Sequence, residues 1–153
     1  MAEEKLMIAD TIQYVVIKIG NEQYGIDIKF VDNIVRTQKA TRVPKVAPYI
    51  KGVINLRGEV IPIMNVRLKM GLEEIEPTKD TRIIIIKLDQ QGTVGLIVDE
   101  VKEVVTVSSD DVEKISYDKE QKNHFLSGVA KYDERLISLL DLNAVVSDST
   151  QAE

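Results

Sequence analysis

Gly52-Val53-Ile54-Asn55-Leu56-Arg57-Gly58-Glu59-Val60-Ile61-Pro62-Ile63-Met64-Asn65-Val66-Arg67-Leu68-Lys69-Met70-Gly71 is the stretch on which the fold of this chain turns. Two short apolar runs, 53–56 and 60–64, flank Arg57-Gly58, and glycine accepts the positive φ that a tight hairpin requires. The stretch reads as a β-hairpin with a cation at its tip. Pro62 has no N–H to give a ladder and belongs at an edge or a bulge. Asn65 suits the N-cap of a short helix that Gly71 ends.

The same design returns later as Gly128-Val129, then Asp133-Glu134, then Leu136-Ile137-Ser138-Leu139-Leu140-Asp141-Leu142. Val53 and Val129, Val60 and Leu136, Ile63 and Leu139, Asn65 and Asp141, and Val66 and Leu142 are each 76 positions apart. Arg57 at the first tip is answered by Asp133 at the second, so the unit does not need a cation there.

Working outward, 11–19 is rich in β-branched residues and too continuous for a strand with one wet face, which predicts a central strand. A turn at 20–23 and a partner strand at 24–28 follow. Beyond Asp27, a reasonable N-cap, Ile28, Val31, Ile34 and Val35 fall at helical spacing, and a short helix to Arg36 is expected. Val43 precedes Pro44 and is biased toward extended backbone. The acidic segment 72–80, with Pro77, divides two halves. Past it the opening pattern recurs at an offset of 70, with Gly25 matched by Gly95, Val31 by Val101 and Ile34 by Val104. In 104–107 the helical stripe gives way to strand character. The longest loop is expected at 108–124, and 1–10 and 147–153 read as flexible tails.

Short strands, close turns and an internal duplication predict a mainly β protein of two pseudo-repeated, five-stranded barrels with short helices. The first would take residues 12–71 and the second 81–146. Each alone buries too little surface, so the two should share one core and leave a groove between them, as one domain over 1–153.

Composition bounds the chemistry. The chain has 153 residues, 44% apolar, with five tyrosines, two phenylalanines and no tryptophan, so its core must be aliphatic. It has no cysteine, which excludes disulfides and thiolate metal sites and suits a reducing cytosol. No apolar run reaches a membrane span and no signal peptide opens the chain, so a cytoplasmic place is expected. A net charge of −5 with scattered cations makes nucleic acid an unexpected partner. Glycine-rich phosphate cradles and the Gly-x-Ser-x-Gly elbow are absent. His124 is the only histidine, so neither a paired-histidine metal site nor any cofactor is expected. Asp32-Asn33 reads as an exposed polar face and Ile28 and Val31 as core. Arg57 is exposed by geometry, either as an idle surface charge or as the kind of residue enriched at binding hot spots.

Taken together, Tyr24-Gly25-Ile26-Asp27-Ile28, Val31-Asp32-Asn33-Ile34, Val43-Pro44, the run from Tyr49 to Gly58, Val60-Ile61-Pro62 and Val94-Gly95-Leu96-Ile97-Val98-Asp99 resemble CheW. That family couples bacterial chemoreceptors to the histidine kinase CheA. The resemblance covers roughly 12–146 and implies two SH3-like barrels and a non-enzymatic adaptor. A chain of this length looks like a free-standing CheW, without the receiver domain of CheV proteins. The resemblance implies a receptor-binding face at Arg57, Gly52, Asn33 and Val104. It implies a contact of Ile28, Val31 and Val43 with the regulatory domain of CheA. The position of Asn33 can carry a glutamate in the family, so the charge of the receptor contact differs here. The implied partners are CheA and the cytoplasmic tips of methyl-accepting receptors, with no nucleic acid and no membrane insertion. The implied place is receptor arrays on the inner face of the membrane. A reading from another class is a small β-barrel enzyme or ligand-binding protein using the inter-barrel groove, which needs convergent polar groups there.

Overall fold

The computed structural model describes residues 10–115 and 125–147. The expected tails fall almost wholly outside the described residues, and so does His124. Strands β1 (Thr11–Ile19) and β2 (Glu22–Asp27) form the opening hairpin, followed by a 3-10 turn (Ile28–Phe30) and β3 (Val31–Arg36). The organising hairpin is β4 (Ile50–Leu56) and β5 (Glu59–Asn65), closed by helix α1 (Val66–Lys69). The second half runs β6 (Arg82–Leu88), β7 (Gly92–Val98), β8 (Glu100–Ser108), β9 (Val112–Lys114), β10 (Leu126–Tyr132), β11 (Arg135–Leu140) and helix α2 (Leu142–Val146).

The 76-residue repeat is reproduced in register. Val53 faces Pro62 and Ile54 faces Ile61, as Val129 faces Ser138 and Ala130 faces Ile137. The bulge between Ile50 and Gly52 recurs between Leu126 and Gly128. Pro62 lies one residue before the Ile63–Asn65 stretch that pairs with β7, so the shortened ladder does not need its missing N–H. The caps repeat too: Asn65 Oδ1 accepts from Leu68 N at 3.0 Å and Asp141 Oδ1 from Ala144 N at 3.2 Å.

The sheets do not follow the halves, however. One has the order β8-β1-β2-β11-β10-β9 and the other β3-β6-β7-β5-β4. The division expected at 12–71 and 81–146 is therefore corrected: each half lends its opening hairpin to the sheet that carries the other half's closing hairpin. β2 pairs in parallel with β11, and β5 with β7. The exchange happens at 27–31 and at Asp99, where the chain crosses between sheets. β9 is the sixth strand of its sheet, and its counterpart in the other is the isolated bridge of Thr41 to Val53. It also lies inside the stretch 108–124 expected to be loop.

Three apolar clusters follow. Tyr14, Val16, Val105 and Ile137 fill one barrel, and Ile54, Ile61, Ile63, Ile83 and Ile85 fill the other. Between them Ile17, Ile26, Ile84, Ile86, Leu96 and Val145 form the shared core. Each such fully buried aliphatic side chain contributes about 1.5–3 kcal/mol. The molecule is thus a pair of SH3-like β-barrels around a common apolar layer. Two short helices close it, with Lys69 of α1 over the Tyr49 ring at 4.3 Å.

The helix expected from Ile28 to Arg36 is also corrected. Asp27 does cap, accepting from Lys29 N at 3.0 Å, but only the 3-10 turn. From Val31 burial alternates residue by residue, with Val31, Asn33 and Val35 turned inward and Asp32, Ile34 and Arg36 outward. β-branched residues at helical spacing go to the strand because β6 offers an unfilled edge, even though the strand then turns Ile34 away from the core. The repeat partner of β3 is strand from end to end as β8.

Asp99 staples the crossing. Its Oδ2 accepts from Arg67 at 2.9 Å and from Gly20 N at 2.8 Å, and its own N–H donates to Lys18 O at 3.0 Å. Both charged side chains are less than a fifth exposed. Asp99→Ala would leave the guanidinium and Gly20 N without their acceptor, and it is expected to cost about 1.5 kcal/mol. A shift of the urea midpoint at constant slope measures this.

Candidate functional site

The tip of the β4–β5 hairpin is a two-residue turn with both φ values positive, 53° at Arg57 and 84° at Gly58. Gly58 N donates to Asn55 Oδ1 at 3.1 Å, which pins the turn. Left-handed backbone suits Gly58 but costs an arginine about 1 kcal/mol. Asp133 at the repeated tip has φ 55° and belongs to a residue type that visits this region more readily. Arg57 is exposed and makes no hydrogen bond or ion pair with any described residue. Beside it Val60 is 61% exposed, and its repeat mate Leu136 is 70% exposed. These two apolar flanks were not singled out from the sequence, although both adjoin the charged tips.

Gly52 sits below the tip, buried, with φ 138°. A Cβ there would lie 2.3 Å from Thr41 O. That close approach lets Thr41 and Val53 exchange two hydrogen bonds of 2.8 and 2.9 Å, which seats the stretch 37–49 on β4. Val43, 37% exposed, rides on that stretch beside Val46, 42% exposed. Gly52 and Val43, assigned by resemblance to different faces, are thus joined through one backbone bridge.

Asn33 lies half-buried on β3, its Oδ1 accepting from Ile34 N at 2.8 Å. Neighbouring Asp32 is 3.8 Å from Lys87 Nζ. Val104, half exposed on β8, stands at the edge of the other sheet opposite Val15. Its repeat mate Ile34 is likewise an exposed apolar residue on an edge strand. Ile28 and Val31 pack partly buried against the shared core and keep part of their surface outward. The structure therefore unites Arg57 and Gly52 on one hairpin and Ile28, Val31 and Asn33 on one crossing segment. Val104 stands on a separate edge.

The enzyme or ligand-binding reading asks for polar groups that converge without being spent. A cavity of about 280 Å³ at one end of the β3–β7 barrel is lined by Ile63, Ile83, Ile97, Arg67 and Asp99. Arg67 and Asp99 are already bound to each other, and Arg67 Nε donates to Glu73 O at 2.8 Å. Among the described residues no buried side-chain nitrogen or oxygen lacks a hydrogen-bond partner. Burial raises the pKa of Tyr14, helped by the charge of Asp27, and that of Tyr24, helped by Glu22. Both phenols belong to the packed clusters rather than to that cavity. Among the described residues no three His, Cys, Asp or Glu side chains are grouped to hold a metal ion. No helix among them is long and apolar enough to cross a membrane.

The family model described as "CheW-like domain" matches residues 13–150. The chain is 39% identical to the chemotaxis protein CheW of Bacillus subtilis over 90% of its length and 89% of that protein. It is 31% identical to the chemotaxis protein CheW of Helicobacter pylori over 90% and 82%. Its fold resembles the crystal structure of the scaffolding protein TtCheW from Thermoanaerobacter tengcongensis, with a TM-score of 0.81 and 31% identity. That match covers 90% of this chain and 93% of the other.

Proposed function

Because this chain belongs to the CheW family, we propose that it is a non-enzymatic adaptor that couples chemoreceptor cytoplasmic tips to the regulatory domain of the histidine kinase CheA. It would do so in bacterial chemotaxis, at receptor arrays on the inner face of the membrane. The observation that carries this reading is Arg57, a cation in left-handed backbone, exposed and unpaired among the described residues. A residue that costs the fold energy and makes no hydrogen bond or ion pair with any described residue is accounted for by a partner outside the chain. We assign the receptor to Arg57 and the surface that Gly52 shapes, with Asn33 and Val104 contributing. The kinase domain is assigned to Ile28, Val31 and Val43.

The experiment is a pull-down with a receptor cytoplasmic fragment and the kinase regulatory domain, offered singly and together. Binary complexes with each and a ternary complex are expected. Mutual exclusion of the two partners would show one shared face and overturn the assignment.

Val31→Ala tests the kinase face. Truncating a half-exposed apolar contact should weaken kinase binding by about tenfold, or 1.4 kcal/mol, while receptor binding is held. Circular dichroism on the same sample checks the fold, since the inner side of Val31 touches the shared core.

A further inference from the structure

The reciprocal exchange of hairpins has a consequence for association that does not depend on the adaptor reading. Four strand pairings join one half of the chain to the other: β1 with β8, β2 with β11, β3 with β6 and β5 with β7. Pairings within the first half leave only two separate hairpins, β1–β2 and β4–β5, and isolated hairpins are marginally stable in water. The shared core is likewise built from both halves, with Ile17 and Ile26 from the first and Ile84, Ile86 and Leu96 from the second. An unpaired half would expose this surface, and its complement in shape and hydrogen bonding is the other half of the same sequence.

One covalent strap, 72–80, connects them, exposed throughout. Its beginning is tied to the first half. Leu72 N donates to Arg67 O at 2.7 Å, and Glu74 pairs with Lys51 at 2.7 Å. Its end is tied to the start of the second half, where Thr78 N donates to Thr81 Oγ1 at 2.8 Å and Arg82 to Lys79 O at 2.8 Å. Between these ties Ile75, Glu76 and Pro77 make no hydrogen bond or ion pair with any described residue.

We infer that Ile75-Glu76-Pro77 is a hinge about which two copies of this chain trade halves, giving a dimer in which each sheet is built from two chains. Exchange repeats every pairing of the monomer and alters the strap alone, so strap length and protein concentration set the balance between the two forms. The exchanged dimer carries two Arg57 tips on one particle.

Deleting Ile75, Glu76 and Pro77 from the full chain joins the tied ends directly, which is expected to strain the closed chain and its ties. Short hinges of this kind favour exchange. Light scattering on the eluted protein at micromolar concentration should read twice the 17.2 kDa chain mass, with native circular dichroism. A folded monomer would overturn the inference. A second measurement does not depend on how the deletion folds. A protease site replaces the same three residues, the folded full chain is cut, and tagged and untagged cut proteins are mixed. The halves should stay together as one particle and form mixed pairs over time. Halves that separate into independently folded pieces, or pairs that never mix, would both contradict it.

Discussion

Replacing Gly52 by alanine is expected to destabilise the protein by about 3 kcal/mol or more, one of the larger single-residue effects available in this chain. Two costs combine. The φ of 138° is a conformation that an L side chain rarely adopts, and the added Cβ would lie 2.3 Å from a backbone oxygen, Thr41 O, which cannot rotate away. Relief requires the 37–49 stretch to lift off β4, with loss of both Thr41–Val53 hydrogen bonds. The repeat supplies a control. At Gly128, 76 positions on, a Cβ would meet Glu113 O of β9 at 2.4 Å without any positive φ, so Gly128→Ala should show the cost of the clash alone in the other sheet. Urea unfolding of both variants measures the effect. A Gly52→Ala protein of wild-type stability would show that the stretch is not seated as described. Loss of receptor binding in this variant would then follow from backbone displacement, which separates Gly52 from residues that touch a partner directly.

The hairpins and their repeat were legible in the sequence because their signals are local. Arg57-Gly58 and Asp133-Glu134 punctuate runs of period two, and Asn65 and Asp141 mark helix starts by side-chain chemistry alone. What sequence could not show was which strands pair across the halves. A 76-residue repeat fits a chain whose halves fold separately equally well as one whose halves exchange hairpins, since both bury the same alternating residues. β3 departs from the expected helix for a related reason: Ile28, Val31, Ile34 and Val35 fall at helical spacing, whereas the strand turns Val31 and Val35 inward and Ile34 outward, and the edge of β6 decides between the two. At the site, Arg57 was visible as an exposed cation. Its positive φ comes from the two-residue turn of its own hairpin, whereas the bridge that ties Gly52 to the segment of Val43 arises only when Thr41 pairs with Val53 across the fold.

Arg57→Glu is expected to weaken receptor binding by about 2 kcal/mol or more, roughly 30-fold, with the fold changed by less than about 0.5 kcal/mol. The fold tolerates the change because glutamate meets the same left-handed cost that Arg57 already bears at φ 53°, and Asp133 at the equivalent tip, φ 55°, shows that the turn accepts a carboxylate. Arg57 also has no partner among the described residues to lose. Binding should suffer because a guanidinium offers a planar fork of donors that a carboxylate turns into acceptors, beside the apolar surface of Val60. The kinase contact, assigned to Ile28, Val31 and Val43, should be spared.

The measurement that tests the adaptor account most directly is therefore titration calorimetry of wild-type and Arg57→Glu protein against a receptor cytoplasmic fragment and, in parallel, against the kinase regulatory domain, with melting temperatures recorded on the same samples. The account predicts receptor affinity lower by about 30-fold, with kinase affinity and melting temperature unchanged. Receptor affinity equal to wild type, or a melting temperature that falls with it, would contradict the placement of the receptor on this tip.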